Sequence, residues 1–306
     1  MEDYPKSILE FERRFATEEA CLKYLFEVRW PDGFCCPRCG GRKAWTTKRG
    51  LWRCVRCDLQ VSVIAGTIFQ GTRKPLQLWF RAMWYITNQK YGVSALGLQS
   101  MLGLSRYKTL WTWLHKLRVA MVRPGRDRLS GTVEVDETYI GGKKPGKRGR
   151  GAKGKELVVI AVEDKGNKLG RIRLRHVADA SAKSLTPAVQ EAVEIGSEVR
   201  TDGWKGYSKL RSKGYVHTIA RQEADLGDNL LPLVNRVAAL LKRWLTGTHQ
   251  GSVRPSHLGY YLDEFTFRFN RRTSGSRGKL FRRLVEQSVA VGPVSDADVS
   301  SARAPL

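Results

Sequence analysis

The chain has 306 residues, of which 42% are apolar, so it can bury a substantial core and has room for about two domains. Its 54 lysines and arginines outnumber 29 aspartates and glutamates, for a net charge of +25. That excess predicts a polyanionic partner, most commonly nucleic acid. No run approaches the roughly 18 apolar residues of a membrane span, and the first residues lack the apolar stretch of a signal peptide. Composition therefore predicts a cytoplasmic protein.

The first segment, residues 1–32, is predicted to be a helical lead-in. Leu22, Leu25 and Phe26 recur at helical spacing before the sequence RWPDG ends the pattern.

Residues 33–66 have the cysteine spacing of a four-cysteine zinc ribbon, in which two turns each present two thiolates to one tetrahedral ion. Two C-x-x-C pairs lie 14 residues apart: Cys36, Cys39, Cys54 and Cys57. Repetition at this distance disfavours a redox pair, and a reducing compartment disfavours disulfides. Cys35 is an alternative ligand, although the spacing favours Cys36, and the lone Cys21 is typical of a small core residue.

Residues 67–122 are predicted to be helical. Ser94 and Ser105 are candidate N-caps of the second and third helices, and Gly103 supplies the turn between these helices. A short helix, a glycine turn and a basic second helix resemble a helix-turn-helix. The basic residues of that second helix are Arg106, Lys108, Lys116 and Arg118.

An ordinary helical bundle, in which Trp111 and Trp113 simply pack, is the alternative for this segment. The surrounding positive charge favours DNA contact, with Arg106 and Lys108 as the candidate contact residues.

Residues 123–131 are predicted to be a linker, and a domain of alternating strands and helices follows over 131–272. Strands are predicted at 132–138, 157–163, 169–177, 197–201 and 215–220. Helices are predicted at SAKSLTPAVQEAV and around LPLVNRVAALLKRWL. This order indicates an α/β sheet of the ribonuclease H kind. Residues 273–306 are predicted to be a tail, with a short helix near KLFRRLVEQ and a disordered end.

Carboxylates cluster where two predicted strands end. Glu134 and Asp136 share one face of the first strand, because residues two apart in a strand point the same way, while Val133 and Val135 point into the core. Asp202 ends another strand, and Gly203 after it lets the chain turn away. Ligands are usually held at such strand ends of an α/β sheet.

Neighbouring carboxylates repel unless a cation lies between them, and oxygen ligands suit Mg²⁺ or Mn²⁺. Such ions serve nucleases and polymerases that attack phosphodiesters. The glycine-rich loop 142–155 is predicted to hold DNA phosphates, with a solvated loop as the alternative. Its candidate contact residues are Lys143, Lys144, Lys147, Arg148 and Arg150.

The chain resembles bacterial insertion-sequence transposases of the zinc-ribbon, ISXO-like group, which carry a DDE-type catalytic domain of ribonuclease H-like fold. The resemblance covers residues 15–272. It rests on the ordered motifs RWPDGFCCPRCG, AGTIFQGTRKPLQLWF, VEVDETYIGGKK, RTDGWKGY, VNRVAALLKRWLTGTHQG and YLDEFTFRFNRR. The chain is thus predicted to be a multidomain α+β protein: N-terminal helix, zinc ribbon, helix-turn-helix-like segment and ribonuclease H-like catalytic domain.

The resemblance implies that Asp136 and Asp202 are the first and second catalytic carboxylates. Many DDE enzymes have Glu at the third position, whereas this group often has Asn followed seven residues later by Lys, as Asn235 and Lys242 are here. Seven residues are two helical turns, so both side chains share a face. Asn235 would offer its carbonyl oxygen to a second magnesium ion, and Lys242 would meet a phosphate.

Other acidic residues compete for the third position. Glu264 is one candidate, but Leu262, Phe265 and Phe269 recur at helical spacing around it, which is typical of a structural glutamate. Further candidates precede the helix of Asn235: Glu223, Asp225 and Asp228.

The resemblance implies an enzyme that binds the terminal inverted repeats of its element, cleaves the ends and joins the freed 3′-hydroxyl to target DNA. Mg²⁺ or Mn²⁺ and Zn²⁺ are the implied cofactors, and a homodimer or larger assembly on DNA, nucleoid-associated in a bacterium, is the implied state. A DNA-binding regulator with an inactive ribonuclease H-like domain is the alternative, because Asn stands at the third position. A ribonuclease or repair nuclease on the same fold is a third possibility.

Overall fold

The computed structural model describes residues 3–123, 125–142, 154–166, 168–220 and 229–301. The chain divides into two compact units, one of Met1–Pro124 with Ser274–Ser300 and one of Gly125–Thr273 with Ser301–Leu306. No helix in the described ranges combines the length and the apolar character that crossing a bilayer requires.

The N-terminal unit begins with two helices, α1 (Ile8–Arg14) and α2 (Glu18–Arg29), capped by Ser7 and Thr17. The helix predicted from the spacing of Leu22, Leu25 and Phe26 is confirmed by α2, although Leu22 itself is exposed and the buried side chains are Cys21, Tyr24 and Leu25. Cys21 is the predicted core residue, and its burial raises the pKa of its thiol to about 12.

A small antiparallel sheet follows, in the order β1 (Ala44–Thr46), β2 (Trp52–Cys54) and β3 (Gln60–Val61). Its middle strand carries one of the ribbon cysteines, Cys54.

Three further helices are α3 (Leu76–Asn88), α4 (Ala95–Leu102) and α5 (Tyr107–Ala120). Ser94 caps α4 as predicted, since its hydroxyl accepts a hydrogen bond from the Gly97 N–H. Gly103 ends α4 in the left-handed conformation, φ 62°. The prediction for Ser105 is wrong: Arg106 occupies the N-cap of α5, and no side chain caps that end.

The indole ring of Trp113 stacks on Trp79 with the ring centroids 4.1 Å apart. Trp113 therefore packs in the interior, as the bundle alternative requires. Arg118 is also buried, with its guanidinium 3.4 Å from Nδ1 of His115, so this residue of the basic helix cannot reach DNA. Its long side chain fills the interior because α5 is surrounded by other elements of the unit, which the sequence of α5 alone does not reveal.

The short helix predicted near KLFRRLVEQ is confirmed, whereas the end predicted to be disordered contains a further helix in its described part. The two helices are α9 (Arg277–Ala290) and α10 (Asp296–Ser300), and both belong to the N-terminal unit. Phe281 of α9 lies among aromatic rings of helices far away in sequence, with centroid distances of 5.4 Å to Phe11 and 5.6 Å to Phe80. These distant partners bury a segment whose own composition predicts a tail.

The C-terminal unit contains a five-stranded sheet. In chain order its strands are β4 (Thr132–Ile140), β5 (Glu156–Asp164), β6 (Leu169–Val177), β7 (Glu198–Thr201) and β8 (Val216–Ile219). The spatial order is β6-β5-β4-β7-β8, with the first three strands antiparallel and with β7 parallel to β4 and to β8. This arrangement confirms the predicted ribonuclease H-like sheet.

Helices cover both faces of this sheet: α6 (Ala182–Ala192), α7 (Pro232–His249) and α8 (Leu258–Phe269). Val133 and Val135 point into a core with α6, as predicted, while Val158 and Ile160 point into a second core with α7 and α8. The predicted linker is shorter than expected, since Leu129 is buried and its N–H donates to the carbonyl of Ala192.

Candidate zinc centre and catalytic site

The four predicted ribbon cysteines converge on one point. Their sulfur atoms all lie within 4.8 Å of one another, and this is the one such cluster of metal-binding side chains in the described ranges: Cys36, Cys39, Cys54 and Cys57. Cys35, the alternative ligand, is outside the cluster.

The geometry of this cluster fits Zn²⁺. The Sγ atoms are 3.5 Å apart for Cys36 and Cys57 and 3.6 Å apart for Cys39 and Cys54. A tetrahedral ion with bonds of about 2.3 Å requires sulfur atoms about 3.8 Å apart. A Cβ atom at Gly41 would lie 3.1 Å from the Cys54 sulfur, so the backbone there closes tightly around the thiolates.

Backbone N–H groups in the turn that joins Cys36 to Cys39 favour the thiolate form of Cys36. Burial opposes this effect, but the N–H groups of Cys39 and Arg38 lower the pKa of the Cys36 thiol to about 6. A thiolate is the form that binds metal.

Asp202 directly follows β7, as predicted, whereas Asp136 is the fifth of the nine residues of β4 and not at the end of its strand. The parallel register of the two strands pairs Thr132 with Glu198 and Glu134 with Arg200, and continued by two residues it would bring Asp136 beside Asp202. Neighbouring strands lie about 4.8 Å apart. Alternation along the strands also places both aspartates on the same face, the one opposite Val133 and Val199, which point into the α6 core.

A buried tyrosine hydroxyl lies on the other face of β4, in the core with α6. Tyr207, which is fully buried, donates a hydrogen bond of 2.8 Å from its hydroxyl to Oε2 of Glu137. Burial, and then the charges of Glu137, Asp136 and Asp202, raise the pKa of Tyr207 well above its usual value. Three carboxylates therefore lie near one phenol, which stays protonated and donates at neutral pH.

The turn after β7 fixes Asp202. Its Oδ1 accepts a hydrogen bond of 2.9 Å from the Trp204 N–H, and the Trp204 indole donates to the carbonyl of Ala180 at 2.8 Å. Gly203 has φ 83°, and a Cβ there would lie 2.6 Å from the side chain of Ile219. Only glycine fits this turn, as the sequence predicted.

Glu134, which shares a face of β4 with Asp136, is a helix cap. It is only 5% exposed, and its Oε2 accepts hydrogen bonds from the N–H groups of Leu233 at 2.9 Å and Val234 at 3.0 Å. Burial raises the pKa of Glu134, and these backbone donors oppose the rise. The carboxylate satisfies the first turn of α7, which has no local side-chain cap.

That cap holds the helix on which Asn235 and Lys242 lie. Both side chains are exposed. The amide nitrogen of Asn235 donates to Oδ1 of Asn229 at 2.6 Å, so the carbonyl oxygen is not used in this bond. Partial burial and the neighbouring charge of Lys155 lower the pKa of Lys242.

The structure does not bring Glu264 to the two aspartates. Glu264 is fully buried on α8, 3.6 Å from the guanidinium of Arg268. Its helix packs against β6, an edge strand that β5 separates from β4. The loop candidates Glu223, Asp225 and Asp228 lie outside the described residues.

The predicted DNA contacts fall in two places. Arg106 and Lys108 line a pocket beside α5 in the N-terminal unit. The contacts predicted in the glycine-rich loop lie outside the described residues: Lys143, Lys144, Lys147, Arg148 and Arg150.

Sequence reasoning missed the roles of Glu134, Glu137 and Tyr207. The sequence did contain a signal for the role of Glu134, because α7 begins with Pro232 after Leu231 and so needs a distant acceptor for its N–H groups. No signal in the sequence predicts the pairing of Glu137 with Tyr207.

Comparisons with known proteins agree with both units. Residues 128–270 match the family model described as an ISXO2-like transposase domain. Residues 16–60 match the model described as a transposase zinc-ribbon domain. A relative that is 28% identical over 284 residues, covering 84% of this chain and 92% of its own length, is described as an uncharacterized protein in transposable element ISH50 of Halobacterium salinarum.

A cysteine cluster of zinc geometry and a ribonuclease H-like sheet, together with these two matches, define a zinc-ribbon transposase of the DDE class. The two family models match in order and together cover more than half of the chain. The chain belongs to the ISXO2-like transposases.

Proposed function

We propose that this protein is the transposase of an insertion sequence: it binds the terminal inverted repeats, cleaves the DNA ends and joins the freed 3′-hydroxyl to target DNA. The observation that carries the proposal is the parallel register of β4 and β7, which, continued by two residues, would bring Asp136 beside Asp202. Two carboxylates so close favour a bound cation between them.

Asp136 and Asp202 would hold Mg²⁺ or Mn²⁺, and Asn235 would add its amide oxygen. When bound, such ions activate an attacking hydroxyl and stabilise the leaving oxygen of a phosphodiester. Glu134 would position Asn235 by holding the first turn of α7. Tyr207 would orient Glu137, the residue next to Asp136.

Basic side chains would align the DNA strand. Lys242 is exposed on α7 two turns beyond Asn235, where its ammonium group would meet a phosphate. The glycine-rich loop with Lys143, Lys144, Lys147, Arg148 and Arg150 would add phosphate contacts near the same strands.

The zinc ribbon and the helical segment of residues 67–122 would recognise the ends of the element. Two ends must be held together for joining, so a homodimer or larger homo-oligomer on DNA belongs to this proposal. The site of action would be the DNA of the cytoplasm, in association with the nucleoid.

Incubation with a supercoiled plasmid that carries the gene and its flanking DNA tests the proposal. The wild-type protein with Mg²⁺ or Mn²⁺ should nick at the element ends and form joined products, while Asp136→Asn and Asp202→Asn should not. Asp32→Asn, at an exposed position of the N-terminal unit, is the matched control and should keep activity.

Each other outcome has a distinct meaning. Specific binding of the ends without cleavage by the wild type would favour the DNA-binding regulator, for which the neutral Asn235 is the supporting observation. Cleavage without end preference or joining would favour a nuclease on the same fold.

A further inference from the structure

A basic pocket of about 510 Å³ lies beside the first turns of α5 in the N-terminal unit. Its residues belong to neither of the two segments that the family models match. Five cationic side chains line it: Arg73, Lys74, Arg106, Lys108 and Lys116. Among the described residues of the lining, the single acidic one is Asp296 of α10.

The donors of this pocket already hold an anionic group. Oδ1 of Asp296 accepts a hydrogen bond of 2.6 Å from the hydroxyl of Thr112, and Oδ2 lies 3.0 Å from the ammonium nitrogen of Lys108. A hydroxyl and an ammonium group are also the side-chain donors that bind backbone phosphates of DNA. The two oxygens of the Asp296 carboxylate therefore contact donors of the kind that a phosphate group would use.

The contact of Asp296 is of a kind that a stronger anion displaces. The side chain of Lys108 is 72% exposed and that of Asp296 is 52% exposed, and exposed ion pairs contribute little. Partial burial lowers the pKa of Lys116, although Asp296 and Asp298 oppose the shift. Even with Asp298 nearby, the carboxylates of α10 balance only part of the charge of the five cations.

We propose that this pocket receives a backbone phosphate of DNA, and that the Asp296 carboxylate occupies it in the absence of DNA as an internal competitor. The proposal deepens the proposed function by locating a DNA contact, but it requires only DNA binding and no catalysis. Lys108 and Lys116 would pair with the phosphate, and Thr112 would donate to it.

Equilibrium binding of a fluorescently labelled DNA duplex to the zinc-loaded full-length protein, over a range of salt concentrations and without Mg²⁺ or Mn²⁺, tests this proposal. Lys116→Gln should weaken binding and reduce the slope of log affinity against log salt by about one phosphate contact. Asp296→Asn should tighten binding by up to about fivefold, the factor of an exposed ion pair. Lys23→Gln removes an exposed lysine of α2 outside the pocket and should leave the slope unchanged.

Two results would overturn the proposal. If Lys108→Gln and Lys116→Gln, both folded by circular dichroism, behave like Lys23→Gln, then no phosphate enters the pocket. If Asp296→Asn lowers the melting temperature but leaves duplex affinity unchanged, Asp296 only anchors α10. Loss of plasmid cleavage with duplex binding intact would instead contradict the proposed function alone.

Discussion

Glu134 on β4 accepts a hydrogen bond of 2.9 Å from the backbone N–H of Leu233 in the first turn of α7. A carboxylate two residues before Asp136 therefore holds the helix that carries Asn235 and Lys242. The acidic cluster of β4 thus has three members with different roles: Glu134 caps a helix, Glu137 accepts a hydrogen bond from Tyr207, and Asp136 is the proposed metal ligand.

Loss of the Glu134 cap should lower the cleavage activity by more than the loss of stability explains. Glu134→Ala leaves two backbone N–H groups without their acceptor and should cost about 1–3 kcal/mol of unfolding free energy, measured with urea. Plasmid cleavage should fall further than this loss explains, at a temperature where the variant is folded, because Asn235 moves with α7. Glu134→Gln retains an acceptor and should keep more activity. Full activity in Glu134→Ala would contradict the positioning role.

The Tyr207 hydroxyl should matter for metal use. Tyr207→Phe removes the donor to Glu137 and should raise the Mn²⁺ concentration needed for half-maximal cleavage. Tyr215→Phe is the matched control, since Tyr215 is also buried but donates to the backbone carbonyl of Val193, at 3.1 Å, and not to a carboxylate. Equal shifts in both variants would show that the effect is general loss of packing.

Zinc should be structural and bound once per chain. Cys54→Ser should abolish zinc measured by mass spectrometry and change the fluorescence of Trp52, which stacks on Phe26 at 4.4 Å. Cys35→Ser should keep the metal, because Cys35 lies outside the cluster. Zinc retained in Cys54→Ser but lost in Cys35→Ser would show that the ligand set is wrong.

Protonation of Glu163 should lower the stability of the folded protein in acid. Burial works against ionisation, but hydrogen bonds from Arg171 and the Ser130 N–H hold the pKa of Glu163 below its usual value of 4.5. A lowered folded-state pKa contributes stability above pH 4.5 that is lost as the pH falls through the folded value.

Urea unfolding at a series of pH values measures this contribution. Glu163→Gln should be less stable than the wild type at pH 7, and the difference should shrink as the pH falls below 4.5. Glu194→Gln, at an exposed position of the same unit, should unfold like the wild type throughout. A difference independent of pH would contradict the ionic role of Glu163.

The parts of the structure that sequence predicted are those with local causes. The paired C-x-x-C turns and the alternation of β4 depend on residues close in the chain, and so do the Ser94 cap and the turn at Gly203. The prediction that Asp136 ends its strand is wrong, because β4 continues to Ile140 and pairs along its whole length with β5.

The structural features that the sequence did not predict depend on residues that are far apart along the chain. Glu134 caps N–H groups about 100 residues away, and Phe281 is buried by Phe11 and Phe80. Arg118 has the positive charge of a DNA-contact residue, yet the surrounding helices bury it. Neither periodicity nor charge encodes these tertiary contacts.

The central claim is that Asp136 and Asp202 share a divalent ion. Crystals soaked in Mn²⁺ and measured for anomalous scattering test it most directly, with Asp202→Asn crystals as the comparison. An anomalous peak between the two carboxylates of the wild type, absent in Asp202→Asn, is the predicted result. Carboxylates too far apart to share an ion, or a peak elsewhere that Asp202→Asn leaves unchanged, would contradict the claim.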